Sequence, residues 1–503
     1  MVKVNHQKWL QSLILWVSAA IIFIFLTSDA WAGDGSKPLG HINPYLRTTG
    51  ELYGSYEAWD FFRPSPAINN DNSYDLWALR ARLGALLTTS YVDGYAQAQY
   101  VGLYDLPNDA VASPGGPLGL GAAYFQANQS TNVSNIFLRQ AHLDFKFSSL
   151  GVPGAFLKIG RFEFMDGMEY KTGNEKFDSL KRSRVAQRLL ASNIVHVGRT
   201  FDGFAAVYDQ AGFNMTMTAT RPTQGGFTAE GQSQISDINL FYAAVTSKKD
   251  VLLPGTEGRI FYVNYDDKRN TQVVDNRAAA DRPRLDSQNL NIHTVGAHLL
   301  ALHQLKGGSA DALLWGAYQF GDWTNQKHQA WAFAAEAGYQ WSDAAFKPWL
   351  RALYFVSSGD DDAADLKHKT FFSLLPNGRG YVKFPFYNLM NMQDAYIQLN
   401  LSPTPQTRVT IDLHHLSLTS SSDLFYKGLG PTMKSGAFGY SGQSSAGSSD
   451  VGQSLDISFT HTLTKALSWR FYYGHAFGGT VLRSIYQGKK DADMVYLDFN
   501  LVF

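Results

Sequence analysis

The chain has 503 residues, 43 basic and 43 acidic side chains, no cysteine, 45 glycines and 70 aromatic residues (33 Phe, 26 Tyr, 11 Trp). Zero formal net charge excludes a nucleic-acid binder that works through bulk charge. The missing cysteines exclude a disulfide framework and thiolate metal sites. Charged residues make up 17% of the chain, low for a soluble domain.

The first element is a leader. Lys3 and Lys8 precede an apolar run from Leu10 to Leu26, and Ala30-Trp31-Ala32 follows. A basic start, a hydrophobic middle and an A-x-A end describe a secretory signal peptide over residues 1–32, cleaved after Ala32. A membrane-anchoring helix is the competing reading, but the run is short for a span and Gln11 and Ser12 weaken it. Residues 33–503 then form the mature chain, with 41 basic and 42 acidic residues and no apolar stretch long enough for a transmembrane helix.

The mature chain alternates between apolar and polar residues with period two. The spacing predicts strands near 44–58, 74–89, 91–103, 135–147, 155–165, 201–209, 213–221, 238–247 and 257–267. It predicts nine more near 291–304, 310–321, 329–342, 346–357, 392–402, 406–419, 451–463, 467–478 and 493–503. Phe213, Met215 and Met217 against Asn214, Thr216 and Thr218 show the pattern well, as do Leu79, Ala81 and Leu83 against Arg80 and Arg82. Connections after even-numbered strands are short. Most after odd-numbered ones are long: 104–134, 166–200, 268–290, 358–391 and 420–450. Eighteen strands with this asymmetry predict an all-β fold: a transmembrane antiparallel up-and-down barrel with short periplasmic turns and long extracellular loops. The last strand sets Val495, Leu497, Phe499, Leu501 and Phe503 on one face, and an aromatic terminal residue resembles the signal read by barrel assembly machinery. A propeller would show a fixed repeat, and none is found.

Two short motifs carry a family resemblance. Leu157-Lys158-Ile159-Gly160-Arg161 runs into Phe162-Glu163-Phe164-Met165-Asp166-Gly167, and Arg199-Thr200-Phe201-Asp202-Gly203 follows about forty residues later. Ser357-Ser358-Gly359-Asp360 with Thr370-Phe371-Phe372, and the segment Leu138 to Asp144, add to it. Together they resemble the alginate export family of outer-membrane proteins. That resemblance implies a barrel that passes a polyuronate through an arginine-lined constriction.

Alternation points Arg80, Arg82 and Lys158 inward, with Arg351 and Arg470 following from later strands. Arg161 falls out of phase and needs a β-bulge near Gly160 to face the lumen. The 166–200 connection adds Arg182, Arg184, Arg188 and Arg199 and is long enough to fold into the lumen. Guanidinium groups bind carboxylates bidentately and never lose their charge, so such a set suits an anionic polysaccharide or a small anionic solute. The same arginines also suit structural pairing with Asp144, Glu163, Asp166, Glu336, Asp412, Asp456 or Asp498.

Other features receive plainer readings. Trp59, Trp315, Trp331, Trp341, Trp349 and Trp469 sit at strand ends, where interfacial girdles form, although sugar stacking is a second use. Asp360-Asp361-Asp362 with Asp365 reads as a solvated acidic loop. His414, His415, His461, His475 and the serines between 435 and 449 lie in no hydrolase motif, so neither an enzyme nor a cofactor is expected. Expected partners are the transported solute, outer-membrane lipid and lipopolysaccharide, the assembly machinery and periplasmic export proteins.

Overall fold

The computed structural model describes residues 41–503 except 44, 66–70, 114, 187, 193–194, 377, 379–381 and 385–387. The expected leader, 1–32, lies outside the described residues. Eighteen antiparallel strands close into one barrel. In chain order they are β1 (Leu46–Asp60), β2 (Ser73–Thr88), β3 (Val92–Tyr104), β4 (Val133–Lys146), β5 (Ala155–Phe162) and β6 (Phe201–Asp209). Next come β7 (Phe213–Pro222), β8 (Ile238–Ser247), β9 (Thr256–Asp267), β10 (Leu290–Leu305), β11 (Gly308–Trp323) and β12 (Gln326–Trp341). The last six are β13 (Trp349–Ser357), β14 (Met392–Thr404), β15 (Thr407–Leu418), β16 (Asp450–Thr462), β17 (Leu467–Gly478) and β18 (Asp491–Val502). Every strand expected from the alternation is present.

Each strand pairs with its chain neighbours, and β1 pairs with β18 from Glu51↔Val502 to Asp60↔Asp493. At the seam, Phe503 exchanges two backbone hydrogen bonds with Gly50. Closure leaves no unpaired edge, which a spanning sheet requires in hydrocarbon. Side chains follow the alternation. Leu83, Ile136, Leu143, Met217, Ile260 and Ile397 are exposed on the outer face, while Asn214, Thr216 and Thr218 are buried inside. Gly50 makes room for the Phe503 ring, which lies where a Cβ would stand.

The long loops do not stand away from the barrel. Their apolar residues pack into its extracellular half with the upper strand ends. Trp59, Phe61, Phe62, Leu118, Tyr124, Trp323, Phe371, Phe372, Phe384 and Phe438 are all buried there in one continuous core. Helix α1 (Leu120–Asn128) belongs to the β3–β4 loop, α2 (Glu175–Leu180) to the β5–β6 loop and α3 (Thr480–Ile485) to the β17–β18 loop. The serine-rich segment, which composition reads as a flexible loop, contributes a strand instead: Tyr440–Ser444 pairs with Leu424–Gly428.

Candidate functional site

The site is built by the β5–β6 loop, which runs down the lumen and back. Asn174 caps α2 by accepting a hydrogen bond from the Phe177 amide. A wide helical turn, Lys181–Val185, follows. Phe177, Leu180, Val185 and Leu189 are buried with wall residues including Leu313 and Leu353 in the shared apolar core. The loop's basic residues meet the wall's acids. Lys181 pairs with Glu257 at 2.8 Å, both fully buried, and His298 and Tyr170 hydrogen-bond the same carboxylate. Lys176 donates to Ser309 at 2.6 Å and Gln340 at 2.8 Å, and its ammonium lies 4.2 Å from the Trp349 ring centre. Ser309 and Gln340 flank the β10–β11 and β12–β13 turns, so the loop reaches the periplasmic end. Burial lowers the Lys176 pKa to about 8.

Two clusters of guanidinium groups form around this loop. In the first, Glu336 accepts from Arg184 at 2.9 Å, Arg188 at 2.6 Å and Arg351 at 3.0 Å, and Arg351 also reaches Asp311 at 2.9 Å. Arg188 lies over Trp315 and Arg184 over Tyr396. In the second, Glu51 pairs with Arg80 at 2.5 Å and Arg82 at 3.0 Å, while Glu163 pairs with Arg139 at 2.7 Å and Arg82 at 3.8 Å. Burial alone would raise the Glu163 pKa, but Arg139 and Arg82 hold it below the ordinary value. Each cluster sets three guanidinium groups against two carboxylates. The second continues along the wall: Arg80 lies over Tyr53, Tyr53 donates to Asp498, and Asp498 pairs with Arg470.

The residues singled out from sequence therefore separate. Arg80, Arg82, Arg351 and Arg470 face the lumen from the wall, and so does Lys158, paired with Asp144 at 3.0 Å. Arg184 and Arg188 reach inward from the loop but are buried, whereas Arg182 on the same turn is exposed. Two expectations need correction. Pairing runs through Gly160 without a shift, so Arg161 keeps the phase of Ile159 and points out of the barrel, clasping Asp202 at 2.6 and 2.7 Å. Arg199 faces no open lumen: it is buried and donates to the carbonyls of Pro431 and Leu429.

Arg199 belongs to a clamp on the extracellular side. Arg269, fully buried beside Asp267, donates to the carbonyls of Met433, Ala437 and Phe438. The two guanidinium groups thus hold one segment, 429–438, across the mouth. Gly428, Gly430, Gly436 and Gly439 within or beside it have φ values of 125°, 79°, 85° and 107°, which side chains other than glycine rarely adopt. Burial lowers the Arg199 pKa to about 10.

Several residues were not legible beforehand. The bulge in this region lies between β3 and β4, not at Gly160, and it turns Arg139 into the lumen. The consecutive polar pair Arg139-Gln140, which breaks alternation, was its only signal. Arg259, buried against Glu169 at 2.8 Å, pins the start of the loop. Asp166 nearby is pushed up to about 6 by burial, against the pull of Arg259. Asp360 is not solvated but buried, and burial pushes it to about 6, whereas Asp361 and Asp365 pair with Lys369. His414 is buried against Asp394 at 2.9 Å. Of the six tryptophans, Trp59 and Trp315 are buried inside the barrel, Trp349 bonds the lumen carboxylate of Asp311, and Trp331 and Trp341 are exposed outside.

A closed spanning barrel with a polar, ion-paired interior is an outer-membrane channel of the porin type. A model of alginate export proteins matches residues 104–495, and the chain belongs to that family. Solved structures share the fold. OpdK of Pseudomonas aeruginosa matches with a TM-score of 0.54 at 11% identity, over 91% of this chain and 99% of its own. OccK9 (OpdG) of the same organism gives 0.56 and OccAB2 of Acinetobacter baumannii 0.55, each at 11% identity over 91% of this chain and 98% of theirs. No curated protein sequence matches the chain.

Proposed function

We propose that this channel passes anionic solutes, with a polyuronate-type polysaccharide as the preferred class. The observation that carries the reading is the surplus of guanidinium over carboxylate in the second lumen cluster, where Arg80, Arg82 and Arg139 meet Glu51 and Glu163. The first cluster is buried, so what a passing carboxylate meets is the second cluster, where Arg80, Arg82 and Arg139 face Glu51 and Glu163, and Arg470, whose side chain is 40% exposed. Weak sites of this kind attract an anion without trapping it. Membership of the alginate export family supports a uronate polymer as that anion. The same reading includes leader removal after Ala32, assembly through Phe503, periplasmic export partners and no catalytic step.

A second reading is a porin for small carboxylates. The infolded β5–β6 loop narrows the lumen, as a fixed constriction would, and OpdK has been solved with vanillate, a small aromatic acid. Reversal potential and conductance of the protein in planar bilayers separate the two readings. Anion selectivity with block by oligouronates at low concentration supports the polymer. Anion selectivity with indifference to uronates leaves the small-carboxylate porin, and cation selectivity rejects both.

A further inference from the structure

The two sequence motifs meet on the outside of the barrel. Arg161 sits in one and Asp202 in the other. In register, Asp202 of β6 lies directly opposite Arg161 of β5 on one side and Arg221 of β7 on the other. All three share the outer face with the residues two positions further into the membrane, Ile159, Phe204 and Ala219. Ile159 and Phe204 are exposed there, as lipid-facing residues are. The polar trio therefore sits one row above the apolar band, at the extracellular ends of its strands.

The charges do not balance. Asp202 gives both oxygens to Arg161, at 2.6 and 2.7 Å, and also accepts from Gln234. Arg221 is exposed and uses only its Nε, donating to the Asn239 side chain at 2.8 Å. Among the described residues its two Nη nitrogens meet no acceptor. Among the described residues Arg221 forms no ion pair, Glu230 included, whose Oε1 caps the amides of Gln232 and Ser233 within its own turn. An arginine on the lipid face of a barrel is costly at the midplane and nearly free at the interface, and its fork matches a phosphate.

We propose that Arg221, set beside the Arg161–Asp202 pair, binds the phosphate of an outer-leaflet lipid headgroup. The pair has a stated part: by engaging Asp202 bidentately, Arg161 keeps that carboxylate from neutralising Arg221. The proposal is independent of what passes through the lumen.

Native mass spectrometry of the full-length protein, titrated with lipid A and with dephosphorylated lipid A, tests it. Wild type is expected to retain lipid A and not the dephosphorylated analogue, and Arg221→Gln to lower retention at least fivefold. Asp202→Asn is expected to raise retention, because it frees a second guanidinium. Arg161→Gln is expected to lower it, because Asp202 then turns to Arg221. Heat-modifiable migration on gels confirms that each variant is folded, and conductance of Arg221→Gln stays at the wild-type value. Equal retention of both lipids, or unchanged retention in Arg221→Gln, overturns the proposal. Displacement of lipid A by millimolar inorganic phosphate overturns the lipid assignment in favour of free phosphate.

Discussion

The extracellular and periplasmic halves of the lumen are closed by different physics. Above, loops bring Trp323, Phe372, Phe384 and Phe438 together into a dry aromatic core, and buried cations serve backbone carbonyls. Below, side chains on strands and on one infolded loop form shared ion pairs, three guanidinium groups around Glu336 and two around Glu51. Loops that pack by burial and carbonyl clamps can leave as a unit with few wall charges to abandon, among the described residues Asp267 beside Arg269 and Asp60 beside Lys489. The lower clusters cannot: each guanidinium shares a carboxylate with another, so the loop and the wall stabilise one another. The comparison points to a fixed lower constriction and a displaceable upper cover.

The largest effect is expected at Glu336. Replacing it with Gln leaves Arg184, Arg188 and Arg351 buried around a neutral amide, with Asp311 still paired to Arg351. Removing one partner of a buried ion pair costs about 3–5 kcal/mol, and here three cations lose theirs. Urea unfolding of the refolded barrel should show a loss of at least that size, recovered in part by Glu336→Asp. A loss below about 1 kcal/mol would mean that water, not the carboxylate, balances these arginines.

Arg269→Gln is expected to act on the cover instead. It removes three hydrogen bonds from the 429–438 segment and takes the cation from Asp267, which keeps the Tyr265 hydroxyl. The segment should become accessible to protease, and conductance should rise several-fold with selectivity unchanged. Unchanged conductance would show that the mouth is open elsewhere and that 429–438 is not its cover.

A smaller effect follows from pH. Asp360 is buried among the extracellular loops, where burial and the neighbouring Asp423 carboxylate raise its pKa from 3.8 to about 6. The folded state therefore holds this proton more tightly than the unfolded chain, so stability falls as pH rises from about 4 to about 6 and stays lower above that. Proteolysis of the 358–391 and 419–449 loops should be slower at pH 4.5 than at pH 7.5, and Asp360→Asn should remove the difference. The opposite trend would place the decisive charge on another group.

How much of this was legible depended on which surface a residue faces. Lipid imposes period two on every strand, so the eighteen strands could be read from residues such as Met215, Met217 and Thr216 without knowing any partner. The loops carry no such constraint. Phe371, Phe372 and Phe438 follow no helical or strand period, and only three-dimensional packing shows that they fill the barrel. Arg161 and Arg139 show the limit within the strands. Parity alone sets Arg161 outside, and the motif around it argued otherwise. Arg139 enters the lumen through a bulge marked only by two adjacent polar residues. Arg184, Arg188 and Arg199 are indistinguishable in sequence, since their difference is the acceptor: a carboxylate for two, carbonyls for the third.

The smallest structural effect should have the clearest functional signature. Arg470→Gln leaves Asp498 with hydrogen bonds from Tyr53 at 3.0 Å and Ser55 at 2.7 Å, so no buried carboxylate is orphaned. Arg470 is 40% exposed and the buried Asp498 keeps those two hydrogen bonds, so the change should cost about 1 kcal/mol. Its charge, however, faces the part of the lumen that water reaches, so the reversal potential in a salt gradient should shift toward cations. Arg188→Gln reverses this pattern: the side chain is fully buried on Glu336, so stability falls while selectivity barely moves. If the two variants exchange signatures, the water-filled path runs along the β11–β13 wall beside the infolded loop, and the β17–β18 wall is its closed side.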